Sequence, residues 1–491
     1  MPDFRQRAFV PVLLFVGTVV AVVSSLGAPL IPQLAVQLGV SLSAAQWALT
    51  ATLVVAAVVS PISSRLGDGR HRKRIIIGGL ALVVLGGAMA AIASSLPLLI
   101  VGRGLQGFGF ALLPLTMAAA RDNLPPERAR RAVATLSVMG AVGVGFGYPI
   151  SGFIADHGGV SAAYWFGAAV TLVALLLAIW AIPDPFSPPA KQHIDLPGAA
   201  LIGVGLVAFL VALDKGADWG WGTPRTLVLM GVGILVLGVW AYYELRLEQP
   251  LVDLRLMRHR AILTATGAGL LISVIMYVAM VTITQFVQQP TFGFGGGIFV
   301  AGLTIVPLSV LSSGMSRTLP WLEGRVGIRP IIPAGCVILA VAMLFFAATA
   351  SQLWQAFVTM GIIGVGLGYT FAAMPGLIVG AAPRDQTSSA MGLYQVARLI
   401  GAAMGSGLAI TLLRGFGDNG EPTLGSYRAS FLATAGLAAL TAFVAWWLPG
   451  RAAATRSEEL DTYEVQEGRL AAVGLEDLTE PTPYLIAPER R

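Results

Sequence analysis

The chain has 491 residues, of which 56% are hydrophobic and 11% are charged, and its formal net charge is +6. Because an ordinary soluble domain carries about 25% charged residues, this composition excludes a soluble globular protein and indicates one that lies in a lipid bilayer. The single cysteine, Cys336, excludes an intramolecular disulfide bond.

Fourteen apolar segments are long enough to cross a bilayer, whose hydrocarbon core of about 30 Å needs about 20 helical residues. The first segment follows Arg5 and Arg7 but is too long for the apolar region of a signal peptide and lacks an Ala-x-Ala-like end, so we expect it to span the membrane. In chain order, predicted spans 1 to 14 are residues 9–31, 44–64, 75–94, 97–119, 131–154, 161–182, 196–213, 225–243, 261–286, 298–318, 331–349, 353–380, 386–413 and 428–448.

The distribution of positive charge predicts how these spans are oriented, since Lys and Arg are retained on the cytoplasmic side. With both termini in the cytoplasm, the cytoplasmic segments contain 25 of the 31 Lys and Arg residues, and the outer segments contain four. Only Arg103 and Arg398 are left within spans. We therefore expect a multi-pass protein of a plasma membrane, with cytoplasmic N- and C-termini. Its use of Ala, Gly and Arg favours a bacterial inner membrane, and topology accounts for the basic charge without a nucleic-acid partner.

An internal repeat relates the two ends of the chain. A shift of 255 residues places 68–77 on 323–332, and a shift of 257 places 107–114 on 364–371. Because the offset is nearly constant and the charges match, we interpret it as a duplication, which is common in transporters.

The repeat predicts the domain organisation. We expect an all-α integral membrane protein in which residues 1–182 and 261–448 form two six-helix bundles related by a pseudo-two-fold repeat. Residues 183–260 would form a two-helix insert with flanking cytoplasmic loops. Residues 449–491 are polar and acidic and are predicted to be a disordered cytoplasmic tail.

A dense charge cluster lies between spans 2 and 3. It resembles the signature at this place in the major facilitator superfamily, although Ser64 and His71 stand where the signature has glycine. The resemblance implies that Asp68 pairs with guanidinium groups across the bundle interface and holds the cytoplasmic side closed. The alternative, that the cluster serves only to fix the orientation of the spans, would explain its basic residues but not its acid. The matching residues of this inner gate motif are Leu66, Asp68, Arg72, Lys73 and Arg74.

Span 4 resembles the superfamily pattern Leu-x-x-x-Arg-x-x-Gln-Gly-x-Gly-x-Ala. An arginine in hydrocarbon costs at least a few kcal/mol unless it faces polar groups or water, so Arg103 must point into the bundle. The resemblance implies a role in proton coupling; the alternative is a structural arginine bonded to carbonyl groups. The matching residues are Leu99, Arg103, Gln106, Gly107, Gly109 and Ala111.

Span 5 carries a third motif, at residues 143–152. It resembles the glycine-rich helix of exporters in this superfamily, with Tyr148 and Ser151 replacing a proline and a glycine and the proline displaced by one position. Small residues let such a helix pack closely and bend. The residues that carry the resemblance are Gly143, Gly147, Pro149 and Gly152.

Taken together, residues 8–448 resemble the fourteen-helix drug:proton antiporter branch, including PLVDLRL (250–256) and QVARLIGAAMG (395–405). The resemblance implies a secondary active transporter rather than an enzyme. It would export small hydrophobic or amphipathic molecules by alternating access, coupled to proton entry. Its partners would be the lipid bilayer, a small-molecule substrate and protons. No cofactor or metal is expected, and the protein could act as a monomer.

The chain departs from that branch because span 1 lacks the usual aspartate and no Asp or Glu lies in the middle of any span. Three interpretations stay open. A carboxylate near a helix end, namely Asp156, Asp68 or Asp214, can carry the proton. Alternatively, a cavity lined by Arg103 and Arg398 suits neutral or anionic molecules, or transport proceeds without protons. An importer or uniporter of a neutral or anionic metabolite is therefore the alternative function.

A few other polar and aromatic residues are candidates for the substrate cavity. Arg398 and Gln395 lie on span 13, Gln285 ends span 9 and Tyr148 lies on span 5. Glutamine and tyrosine at such positions are also typical of the membrane–water interface, so both interpretations stay open.

Overall fold

The computed structural model describes residues 4–26, 30–66, 72–183, 195–247, 250, 252–381, 387–418 and 421–447. The predicted tail at 449–491 and Asp68 of the inner gate motif lie outside these residues. Over the described residues the fold is helical, apart from an isolated β-bridge between Asp418 and Glu421.

Sixteen α-helices follow one another along the described chain. The first nine are α1 (Phe4–Ser25), α2 (Ile31–Leu38), α3 (Leu42–Leu66), α4 (Arg72–Ala91), α5 (Leu96–Gln106), α6 (Gly109–Asn123), α7 (Pro126–Ala181), α8 (Leu196–Trp219) and α9 (Pro224–Arg246). A 3₁₀ helix at Leu254–Arg258 precedes the remaining seven: α10 (Arg260–Gln288), α11 (Ile298–Leu303), α12 (Val306–Val326), α13 (Ile331–Thr349), α14 (Leu353–Ala381), α15 (Thr387–Gly415) and α16 (Leu424–Trp447).

These helices confirm the predicted all-α membrane architecture. In the described part of the chain, twelve segments are long and apolar enough to cross a membrane, and α1 adds a shorter apolar stretch at Ala8–Val23. One of the twelve, Gly145–Ala181, covers predicted spans 5 and 6 together. Its helix, α7, is really two helices, because Gly159 has a non-helical backbone with φ 78° and ψ 169°. A positive φ is accessible to glycine at little cost, so this residue makes the turn between them.

The helices pack in two groups that meet along two seams. In the first group α1 and α4 pack against α7, and in the second α10 packs against α15 while α13 packs against α14 and α16. One seam joins α3 to α15, and the other joins α7 to α11 and α12. Helices α8 and α9 pack on each other, and α8 also contacts α3 and α15.

Glycines bring helix backbones close together at equivalent places in the two groups. A Cβ atom on Gly107 would lie 2.5 Å from the Thr52 carbonyl oxygen, and one on Gly364 would lie 2.5 Å from the Leu308 carbonyl oxygen. Gly107 and Gly364 are 257 residues apart, and their partners are 256 apart. The offset found in the sequence therefore also relates these two backbone contacts.

Gly401 of α15 makes a similar contact, and we expect Gly401→Ala to destabilise the protein. Its Cβ would collide with the Leu270 carbonyl oxygen of α10. Overpacking of this kind costs about 1–3 kcal/mol. The matched control is Gly407→Ala on the same helix, where a Cβ has no neighbour within 4 Å. Thermal unfolding of the purified variants should show a lower melting temperature for Gly401→Ala alone; equal melting temperatures would contradict the packing argument.

Candidate functional site

The seam between α3 and α15 is held by polar contacts near one end of the helices. The hydroxyl groups of Thr50 and Ser406 are 2.6 Å apart, and Arg414 donates from Nη1 to the Ser43 hydroxyl oxygen at 3.1 Å. We call this the outer end, because the charge distribution predicts that it faces away from the cytoplasm. The two groups of helices are thus in contact at the outer end of this seam.

The second seam is closed at the same end by Asp156. This residue lies near the outer end of the first helix of α7, and its carboxylate accepts hydrogen bonds from the backbone N–H groups of Ile298 at 3.2 Å and Phe299 at 2.9 Å. Those groups belong to the first turn of α11, whose partial positive charge favours an anion. Asp156 therefore caps a helix of the opposite group and holds the outer end closed.

The exporter-type motif of span 5 forms the rest of this seam. A Cβ on Gly152 would lie 2.7 Å from the Ile298 carbonyl oxygen, and one on Gly302 would lie 2.7 Å from the Tyr148 carbonyl oxygen. Gly147 and Pro149 are buried in α7, and Gly143 lies in the same helix. Gly152 and Pro149 of the motif therefore lie at the contact between the two groups of helices.

Arg103 lies in a fully buried polar cluster within the first group. Its Nε donates to the Ala48 carbonyl oxygen at 3.1 Å and its Nη1 donates to Gln106 Oε1 at 2.6 Å. Its guanidinium carbon is 5.8 Å from the centre of the Tyr164 ring. The cost of an arginine in hydrocarbon predicted that Arg103 points into the bundle. Tyr164 was missed, because nothing in the sequence shows which face of its helix meets Arg103.

Arg398, in contrast, is only half-buried and lies among aromatic rings. Its guanidinium carbon is 4.0 Å from the centre of the Phe371 ring and 5.6 Å from that of Tyr394. These distances are typical of cation–π contacts. The Tyr394 hydroxyl reaches Met374 Sδ at 3.4 Å, which fixes the ring. Phe371 was not among the residues that the sequence singled out.

Tyrosines connect the two arginines across the interface. Tyr277 of α10 lies within electrostatic range of both Arg103 and Arg398, and Tyr148 lies within range of Arg103 and Tyr277. The structure therefore brings both intramembrane arginines to one central region. The ionisable groups around Arg103 there are tyrosines, and none of those described is a carboxylate.

The remaining candidate residues lie in different environments. Gln395 is half-buried one turn from Arg398, whereas Gln285 is buried with both amide atoms lacking a hydrogen-bond partner. In the inner gate motif, Leu66 ends α3, and Arg72 is buried and donates from Nη1 to the Ala118 carbonyl oxygen of α6 at 3.2 Å. Lys73 is half-buried and Arg74 is exposed.

Two buried carboxylates that were missed lie at the base of α8 and α9. Asp195 accepts from the Gly198 backbone N–H at 2.9 Å and from the Tyr243 hydroxyl at 3.2 Å. Glu244 accepts from the Trp240 indole N–H at 3.1 Å. An Asp before Leu-Pro at a helix start is a typical N-cap signal and would have found Asp195. Asp195 therefore ties the start of α8 to α9, and Glu244 bonds within α9 and to the Val252 backbone N–H.

Comparison with known proteins assigns the fold to a family. The model of the Major Facilitator Superfamily matches residues 13–406 and 321–463. The chain belongs to this superfamily. Its members are transporters rather than enzymes. The match of this family model confirms the resemblance that the sequence motifs indicated.

Curated relatives of the chain include resistance and export proteins. It is 26% identical over 364 residues to the multidrug resistance protein Stp of Mycobacterium tuberculosis, covering 73% of this chain and 67% of that protein. It is 27% identical over 418 residues to the methyl viologen resistance protein SmvA of Salmonella typhimurium, covering 82% and 81%. It is 26% identical over 430 residues to the tetracenomycin C resistance and export protein of Streptomyces glaucescens, covering 82% and 76%.

Solved structures of two transporters share this fold at low sequence identity. The nucleoside transporter NupG superposes with a TM-score of 0.64 at 14% identity, covering 90% of this chain and 100% of that one. The peptide transporter POT, solved with sulfate, superposes with a TM-score of 0.68 at 15% identity, covering 89% and 93%. At this identity the likeness concerns the fold alone.

We expect Asp156→Asn to loosen the outer closure, because the neutral amide loses the charge-assisted bonds to the start of α11. A cysteine at Ser406, in the other seam, reports opening through its reaction with a membrane-impermeant thiol reagent added from outside. It replaces the hydroxyl partner of Thr50 in every variant compared, so the Asp156 side chain is the difference that is tested. The native Cys336 is fully buried and gives little background. Because Asp156→Asn weakens hydrogen bonds to a charged group, we expect the cysteine at position 406 to be labelled roughly 10-fold faster in this variant.

The matched control for this experiment is His157→Asn. His157 Nδ1 contacts the Phe153 carbonyl oxygen of its own helix at 2.9 Å, and its ring lies against the Phe153 ring; no hydrogen bond from His157 to the second group is seen among the described residues. This control should label at the wild-type rate. Equal rates for Asp156→Asn and the wild type would show that the carboxylate does not hold the outer end.

Proposed function

We propose that this protein exports small hydrophobic or amphipathic molecules across a bacterial inner membrane by alternating access. Support comes from its three relatives named above, which are resistance or export proteins, and from the exporter-type motif at the seam. Both termini would be cytoplasmic, as the charge distribution predicts.

The moving parts would be the two six-helix bundles, residues 1–182 and 261–448. The insert, residues 183–260, would accompany them; its helix α8 contacts both α3 and α15, and Thr411 of α15 donates to the Leu213 carbonyl oxygen at 3.2 Å. Because the contacts at Asp156 and at Thr50 close the outer end, transport requires that they break. Rocking of one bundle against the other is the motion expected of such folds.

Arg398 carries the proposal for the substrate site. It is a half-buried cation stacked on aromatic rings in the central region, with no carboxylate among its described contacts. An uncompensated positive field attracts anions, and the rings of Phe371 and Tyr394 offer apolar faces. We therefore assign neutral or anionic amphipathic molecules as substrates, bound near Arg398, Gln395 and Tyr148, with Gln285 as a further candidate.

Proton coupling would use Asp156. Protonation would remove its negative charge and weaken its bonds to the first turn of α11, so that the outer end opens when a proton arrives. The span 4 residues Arg103, Gln106, Gly107 and Gly109 would transmit the change within the first bundle, because Gly107 packs on α3 and α3 forms the other seam.

A second candidate function is import or uniport of a neutral or anionic metabolite on the same fold. The observation that favours it is the absence of a carboxylate near the central arginines among the described residues. This candidate predicts transport that does not depend on a proton gradient.

Transport in liposomes separates the two functions. The purified protein is reconstituted with a pH-sensitive dye inside, a proton gradient is imposed, and a cationic dye and an anionic amphipath are added in turn. We expect proton flux that depends on the anionic amphipath. Flux with the cation alone would contradict the substrate charge, and transport of either compound without proton movement would favour uniport.

Arg398→Gln should weaken transport of the anionic amphipath, because it removes the positive charge while keeping hydrogen-bonding capacity. We expect the KM to rise about 10-fold, as for the loss of one charge-assisted contact. Arg398→Lys is the matched control: it keeps the charge but loses the planar group that stacks on Phe371. It should retain the preference for the anion. Equal KM values for Arg398→Gln and the wild type would contradict this site.

A further inference from the structure

Three buried polar atoms around Arg103 have no hydrogen-bond partner in the described part of the chain, in addition to those of Gln46 and Ser60 on α3. The three are Arg103 Nη2, Gln106 Nε2 and the Tyr164 hydroxyl oxygen. All three residues are 0% exposed. Because buried polar groups in native proteins are normally paired, three such atoms around one arginine need an explanation.

The three atoms belong to one small region between α4, α5 and α7. The Arg103 guanidinium lies 5.8 Å from the Tyr164 ring centre. A Cβ on Gly87 of α4 would lie 3.3 Å from Gln106 Nε2 and 3.0 Å from the Ala168 Cβ. Ala168 follows Tyr164 by one helical turn and so lies on the same face of α7. The Gln106 amide group is therefore directed towards the helix face that carries Tyr164.

All three atoms are able to donate. Gln106 Oε1 accepts from Arg103 Nη1 at 2.6 Å, so the nitrogen of that amide is the atom left free. Arg103 Nη2 carries only donor hydrogens, and the Tyr164 hydroxyl donates as well as accepts. A set made of donors binds an anion and repels a metal cation.

The net positive charge of the cluster also favours an anion. Arginine keeps its proton, and a buried charge without a counter-charge is unfavourable, because it has lost its hydration and gained no opposite charge in return. The ionisable groups near Arg103 are Tyr148, Tyr164 and Tyr277, which are neutral at physiological pH. A water molecule would satisfy the donors but would leave the charge uncompensated.

We propose that Arg103, Gln106 and Tyr164 form a buried site for a small inorganic anion, with chloride as its natural occupant. The ion would lie inside the first group of helices. It would be distinct from the substrate region around the half-buried Arg398. It would act as the missing counter-charge of Arg103 and stabilise the packing of α5 against α4 and α7.

Thermal unfolding tests this proposal without any substrate. The protein is purified in detergent, chloride is exchanged for gluconate at constant ionic strength, and the melting temperature is followed by the fluorescence of its ten tryptophans. A ligand that binds only the folded state raises the melting temperature in a saturable way. We expect saturation with chloride and with bromide, and no increase with the bulky gluconate ion.

Variants assign the effect to the site. Tyr164→Phe removes one donor without changing charge or packing, and it should raise the half-saturating chloride concentration about 10-fold. Arg103→Gln should abolish the chloride dependence; if this variant does not fold, Tyr164→Phe decides. Arg398→Gln is the control and should keep the wild-type half-saturation.

Three results would overturn the proposal. They are equal melting temperatures in chloride and gluconate, an unchanged half-saturation in Tyr164→Phe, and loss of the chloride effect in Arg398→Gln but not in Tyr164→Phe. The last result would locate the anion at the substrate region. Because no transport is measured, failure of the export proposal leaves this outcome unaffected, and the reverse also holds.

Discussion

Close contact between helix backbones is the constraint on which this structure depends. Lipid tails are as apolar as leucine side chains, so helices in a bilayer gain little from hiding apolar surface and associate through tight packing instead. Gly107, Gly364 and Gly401 permit that packing inside the two groups of helices, and Gly152 permits it between them. The same device therefore builds the bundles and the outer closure. The closure differs because it also uses single polar contacts, such as the one at Asp156, which can form and break.

Charge is the second organising factor, and its distribution is uneven. The described carboxylates whose contacts are known lie near helix ends, where Asp156 and Asp195 cap helix starts. The centre instead holds Arg103 and Arg398 among tyrosines and Phe371. In a medium of low dielectric constant, such charges dominate the field over many ångströms. This positive centre, with acids at the helix ends, is the observation on which the proposal of neutral or anionic substrates rests.

Much of the fold was predictable because each step uses a local pattern. Apolar length predicts the spans, and a constant offset of about 256 residues predicts matching contacts, as at Gly107 and Gly364. The cost of an arginine in hydrocarbon predicted that Arg103 points inward, and the motif in span 5 singled out Gly152. Partners that come from another helix were not predictable: Tyr164 beside Arg103, Phe371 beside Arg398, and the start of α11 beside Asp156. Apolar sequences of this kind show no clear polar face, so they do not reveal which residues of two helices meet.

The sequence by itself determined that the chain spans a membrane with many helices and resembles the Major Facilitator Superfamily, since hydropathy, charge asymmetry and short motifs are properties of contiguous residues. It also determined that no acid lies in the middle of a span, which opened the question of substrate charge. Only the tertiary structure decided that Arg103 is sealed inside one group of helices while Arg398 is half-exposed in the centre. It also decided that the two groups touch at the outer end. Burial and closure depend on how helices distant in sequence pack against each other, and that is settled by side-chain contacts in three dimensions.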